Sequence, residues 1–230
     1  MSEDRFLPKP DKQDRNFEIL HGPVADVVVR KDIPEYAEVK LLASEFSEGF
    51  PPRWITNPQA FGTYVDNLDN PKYLIKDRRH HNMMDESGKI KSRRLDLLPS
   101  SPHPRPAENA SLSVVNEILM TRDIKAVLSS DELQQMVREQ GFSGLDFAEP
   151  LFAVTTKKPL GKFVCYRYIS GQKNSPHFAI VDKLRNLLLE KGIEPYDLQE
   201  HQFIVSYEGT RPTLYLLDVE GYHRIQKHDN

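Results

Sequence analysis

Two acidic residues near the C-terminal end of the chain carry its clearest chemical signal. Across residues 192–224 (GIEPYDLQEHQFIVSYEGTRPTLYLLDVEGYHR) a helix candidate ends at Gly192, a loop presents Asp197, and a hairpin follows whose second strand delivers Asp218. Carboxylates at the mouths of neighbouring strands can converge on one point in space. One could then position a hydroxyl and accept its proton while the other holds Mg2+ against phosphate oxygens, which is what phosphoryl transfer requires. A rival reading takes Asp218 and Glu220 as paired metal ligands of a nuclease or other two-metal hydrolase, because residues i and i+2 of a strand share a face. The next alternate position is Tyr222, however, and supplies no lysine.

The elements that must position these acids follow from hydrophobic period and turn residues. Residues 24–30 (VADVVVR) form a β-branched strand candidate. A helix over 34–47 stops at Gly49 and the Pro51-Pro52 pair. Strands over 61–65 and 73–76 flank a turn rich in Asp, Asn and Pro. Val114, Val115, Ile118, Leu119, Ile124, Val127 and Leu128 recur at helical spacing and predict a helix over 113–128. A second helix starts at Ser129, with Glu132 as a capping-box partner, and closes at Gly141. A hairpin over 151–155 and 162–169 follows, then a helix over 178–191 closed by Gly192, then strands over 203–207 and 213–217. Residues 1–16 read as a disordered tail and 17–60 as an N-terminal extension. Residues 77–110, with the RRHH run at 78–81 and the prolines from Pro99 to Pro106, read as a mobile insertion.

Composition bounds the function classes. Of 230 residues, 38% are hydrophobic and 28% charged, and the formal charge is −3, so the basic footprint of a nucleic-acid binder is missing. The single cysteine, Cys165, excludes an internal disulfide and a multi-cysteine zinc site, and its apolar surroundings predict a buried, inert thiol. No run approaches the roughly 18 apolar residues of a membrane span. The polar N-terminal stretch lacks the apolar centre of a signal peptide. The expectation is a cytoplasmic protein with no membrane partner and no nucleic-acid partner.

From Asp197, Gln202 and Asp218 together with the upstream strands, the chain resembles the protein-kinase-like superfamily, closest in style to aminoglycoside and choline kinases. The resemblance implies an α+β, two-lobed fold over residues 61–230. It would have a small antiparallel N-lobe sheet with a helix, and a truncated C-lobe built on one helix and a β-hairpin. It further implies ATP and Mg2+ as cofactors and a hydroxyl of a small molecule or protein as acceptor. Asp197 takes the place of the catalytic aspartate, and Asp218 with Gln202 that of the metal ligands. Lys76 matches the strand lysine that contacts phosphates, and Glu117 the helical acid that pairs with it. Residues 163–171 (FVCYRYISG), with Tyr166 and Tyr168, look like the last N-lobe strand and hinge that hold the nucleotide.

The sequence departs from that pattern in several places. Pro195 stands where a histidine or arginine is usual, and Gln202 where asparagine is usual. Phe61-Gly62-Thr63 keeps one glycine of a glycine-rich loop, and 12 residues follow Asp218. These departures support an alternative, a catalytically inactive pseudokinase or protein-binding module.

Overall fold

The structure, a computed structural model, describes residues 16–49, 52, 54–59, 63–77, 81–84, 90–93, 117–157, 162–195, 198–217, 219 and 222–225. Asp197 and Asp218, the tail at 1–15 and the Phe61-Gly62 pair therefore lie outside the described residues. The fold is mixed α+β. Its strands are β1 Phe17–His21, β2 Ala25–Arg30, β3 Thr56–Gln59, β4 Thr63–Val65, β5 Tyr73–Asp77, β6 His81–Met84, β7 Ile90–Arg93 and β8 Leu145–Phe147. They continue with β9 Pro150–Thr156, β10 Lys162–Arg167, β11 Gln172–Asn174, β12 Ile193–Glu194, β13 Phe203–Ser206, β14 Thr213–Leu216 and β15 His223–Arg224. The helices are α1 Tyr36–Glu48, α2 Thr121–Leu128, α3 Asp131–Glu139 and α4 Phe178–Glu190.

The chain divides into two compact units, residues 1–118 with 150–168 and residues 119–149 with 169–230. The first contains a seven-stranded sheet in the order β1-β2-β9-β10-β5-β4-β3, antiparallel throughout. Segment 17–60, read from sequence as an extension, thus contributes β1, β2 and β3 to the same sheet as 63–77 and 150–167. Hairpin β6–β7 falls inside the stretch expected to be a mobile insertion.

Side-chain alternation explains how this sheet is covered. Val29, Phe152, Cys165, Ile75 and Tyr64 form one cross-strand row, since each is register partner to the next. The α1 residues Val39, Ala43 and Phe46, at helical spacing, pack on that row in one apolar cluster. Phe46 is fully buried and meets Trp54, Phe152 and Phe163 with ring centroids 5.6, 5.7 and 6.1 Å away. Cys165 is buried as expected, and burial pushes its thiol well up, with the Asp66 charge adding. The β4–β5 turn is built by Asp66, whose carboxylate accepts from the Lys72 and Tyr73 N–H groups at 2.9 Å.

The second unit has a four-stranded sheet in the order β11-β13-β14-β8, in which β14 and β8 run parallel. Where one helix and a hairpin were expected, α2, α3 and α4 all share a core with this sheet. From α4 come Ile180, Val181, Leu184 and Leu188, and from the strands Phe203, Val205, Leu214 and Leu216. The helix expected over 113–128 is helical at 117–119, flattens at Met120 (ψ −6°) and resumes as α2; residues 113–116 lie outside the described residues. The second helix begins one residue later than expected. Ser129 donates to the Lys125 carbonyl at the end of α2, so Ser130 becomes the N-cap of α3 and Glu132 misses the capping-box position. Gly141 and Gly192 close α3 and α4 at φ +90° and +71°, where a side chain would be strained. Among the described residues no helix is long and apolar enough to cross a membrane.

Two outcomes follow from the first core. Phe46→Ala should cost about 3–5 kcal/mol in urea unfolding, whereas Leu41→Ala, 71% exposed on the same helix, should stay within about 0.5 kcal/mol. The Tyr73 phenol is pushed up to about 12 by burial, helped by Glu38. Folding therefore favours the neutral phenol: this contribution is complete below about pH 10 and is lost as pH rises towards about 12. Unfolding midpoints measured across that window should fall further for wild type than for Tyr73→Phe.

Candidate functional site

The face of the seven-stranded sheet opposite the α1 cluster follows from the same alternation. Val28, Ala153, Val164, Lys76 and Thr63 are successive register partners across five strands. Lys76 thus sits one residue along from core-facing Ile75 and points the other way. On β10, Tyr166 is two residues beyond Val164 and is register partner to Leu74. That makes Tyr166 and Lys76 diagonal neighbours on one face, within reach of long and aromatic side chains. The β9–β10 ladder shifts register between Cys165 and Tyr166 with Leu151 as the extra residue on β9, whereas β10 stays in regular register with β5 throughout.

Three of the residues singled out from sequence meet here. The half-buried Lys76 places its ammonium 5.5 Å from the centre of the Tyr166 ring, inside the range of a cation–π contact. The Tyr166 hydroxyl donates to a carboxyl oxygen of Glu117. Glu117, in the helical segment 117–119, has no exposed surface, and Tyr166 is 1% exposed. A carboxyl removed from water in this way must be held by donors. One tyrosine therefore touches both the lysine and the acid, through its ring face and its hydroxyl respectively.

The other positions are placed as follows. Tyr168 is 37% exposed, and its N–H donates to the Lys72 carbonyl at 2.8 Å, just beyond the end of β10. In the second unit Gln202 closes a 3-10 turn over Glu200–Gln202. Its side-chain oxygen accepts from the Gln199 N–H at 3.1 Å, and its backbone carbonyl accepts from the Leu217 N–H at 2.9 Å. One residue thus ties the segment after position 197 to the strand end before position 218. The amide oxygen of Gln202 retains a second lone pair beyond the one spent on the cap. Leu198 and Val219, each one residue along from a candidate aspartate, are buried in the core of this unit. Among the described residues no group of three or more His, Cys, Asp or Glu side chains could hold a metal ion.

The resemblance pairs Lys76 with Glu117 and gives Tyr166 to the nucleotide pocket. The contact of Tyr166 with both is not part of that pattern. The available signal was a tyrosine inside an apolar strand, whose hydroxyl must find a partner once buried. Similarly, Gln202 three residues after Gln199 is a capping-box spacing that went unread.

No family model matches the chain, and no curated protein matches it. The crystal structure of a rhoptry kinase from Toxoplasma gondii is similar to it, with 17% identity, a TM-score of 0.28, and coverage of 70% of this chain. The match spans 47% of the length of that kinase chain.

Replacing Glu117 by Ala leaves the Tyr166 hydroxyl buried without this acceptor. The expected cost is about 1–3 kcal/mol of unfolding free energy, and Tyr166→Phe in the same background should recover part of it. Chemical denaturation of the single and double variants measures both.

Proposed function

We propose that the chain is a kinase-like protein that binds ATP with Mg2+ and transfers phosphate to a hydroxyl of a small molecule or protein. The observation that carries this reading is the meeting of strand-borne Lys76 and helix-borne Glu117 on Tyr166. A lysine on the third strand of an antiparallel run, paired with a helical glutamate, is the arrangement by which kinases of this superfamily grip phosphates. Lys76 lies on the third strand of the β3-β4-β5 run. In this reading its ammonium neutralises phosphate charge, and Glu117 orients Lys76. The backbone after Tyr166 faces the base.

Asp197 would position the acceptor hydroxyl and take its proton, and Asp218 with Gln202 would hold the metal. The double tie made by Gln202 supports this, because it fastens the two acid-bearing segments to one residue. ATP, when bound, supplies the transferable phosphoryl group, and Mg2+ offsets the charge that develops on it. Lys76, Asp197 and Asp218 then act mainly by position and electrostatics.

A second reading, a nucleotide-binding pseudokinase, is favoured by one observation. The side-chain oxygen of Gln202 is already engaged as a cap, which leaves the second metal contact weaker than an uncommitted asparagine would make it.

Thermal unfolding with ATP separates the two. A ligand at a hundred times its Kd stabilises by about 2.7 kcal/mol. The proposed activity requires that gain to depend on Mg2+, to disappear in Asp218→Asn and to shrink in Lys76→Met. Stabilisation by ATP that ignores Mg2+ selects the pseudokinase reading. A wild-type protein indifferent to ATP, with or without metal, eliminates both.

A further inference from the structure

Tyr166 resembles, by its place in the sequence, a residue that would line a nucleotide pocket. Its surroundings give it a different task. With 1% of its surface exposed, its ring offers little face to a ligand. One side of the ring lies under the Lys76 ammonium at 5.5 Å from its centre. Its hydroxyl is spent on Glu117, which is itself wholly buried. The alternation of β10, in unbroken register with β5, turns Cys165 into the α1-facing core and Tyr166 towards Lys76.

We propose that Tyr166 is a positioning residue that couples Lys76 to Glu117, its ring orienting the ammonium and its hydroxyl fixing the carboxyl, rather than a contact for the nucleotide base. The coupling itself is a property of the folded first unit. Its use in phosphate binding rests on the kinase-like reading above. The chemistry is simple: the ring quadrupole attracts the cation from the face, while the hydrogen bond from the hydroxyl to Glu117 fixes the position of the far end of the ring beneath the ammonium. Loss of the hydroxyl removes the bond to Glu117 and loosens the seat of the ring under Lys76. Loss of the ring removes both contacts.

A double-mutant cycle on the full-length chain tests this without any nucleotide. Lys76→Met, Glu117→Gln and the pair are compared by urea unfolding, first with Tyr166 present and then in the Y166F background. Coupling through the tyrosine predicts an interaction factor of roughly tenfold in the unfolding equilibrium with Tyr166 present, falling to near onefold with Y166F. An interaction factor unchanged by Y166F means that lysine and acid couple without the tyrosine, and overturns the proposal. A second measurement reads the ring directly. The Lys76 side-chain resonances should be ring-current shifted in wild type, less shifted in Y166F and unshifted in Y166L; a shift in Y166F equal to that of wild type means that the hydroxyl does not hold the ring for the lysine, and overturns the proposal. Unshifted Lys76 resonances in wild type also overturn the proposal. Should Y166L fail to fold, wild type and Y166F still decide. Absence of ATP-induced stabilisation in wild type would end the kinase-like reading while leaving the cycle intact, so the two failures are told apart.

Discussion

The pairing of β10 with β5 is the constraint on which the first unit depends. Because side chains alternate along a strand, this one register sends Ile75 and Cys165 into the core beneath α1 and turns Lys76 and Tyr166 to the opposite face. A slip of one residue would exchange the two sets. It would bury an ammonium among Phe46, Phe152 and Phe163 and expose isoleucine to the other side. Register is therefore specified by the cost of burying a charge as much as by apolar packing. Lys76 is positioned by the same alternation that builds the core.

Around that register the chain adds local devices that hold it. Asp66 gathers two backbone N–H groups at the β4–β5 turn. Arg30, buried at the end of β2, is neutralised in bidentate fashion by Asp32 and also donates to the Pro150 carbonyl where β9 begins. In the second unit Gln134 works in the same manner: its amide donates to the Leu128 and Leu145 carbonyls and accepts from the Leu145 N–H. Each is a polar side chain that makes several hydrogen bonds at once, and those of Asp66 and Gln134 all go to backbone groups. Such residues lock a geometry that apolar contacts alone would leave loose.

How much of this was legible from residues alone differs by element. Strand β2 and helix α4 were readable because their β-branched run and apolar stripe are strong local signals, and both pack as their periods require. Strands β1, β8 and β11 escaped notice. They are short or polar, and they exist because a partner strand offers its edge rather than through their own propensity. The serine pair at 129 and 130 was misassigned by one because two helices compete for the two hydroxyls. Lys76 and Glu117 were named only through resemblance; no local pattern announces that Glu117 is buried. The double contact of Tyr166 was hidden because it depends on β5 and on the helical segment of Glu117, both far away in the chain. Asp197 and Asp218 lie outside the described residues.

The placement of Cys165 has a practical consequence. The lone thiol of the chain lies in the middle of the sheet, beneath α1, on a strand held by hydrogen bonds along both edges. Fraying at the margins of the sheet does not reach it, and only a separation of helix from sheet would let reagent in. The rate at which an alkylating agent marks this thiol is therefore a clock for the rarest and most complete openings of the first unit, installed by the native sequence and needing no added label.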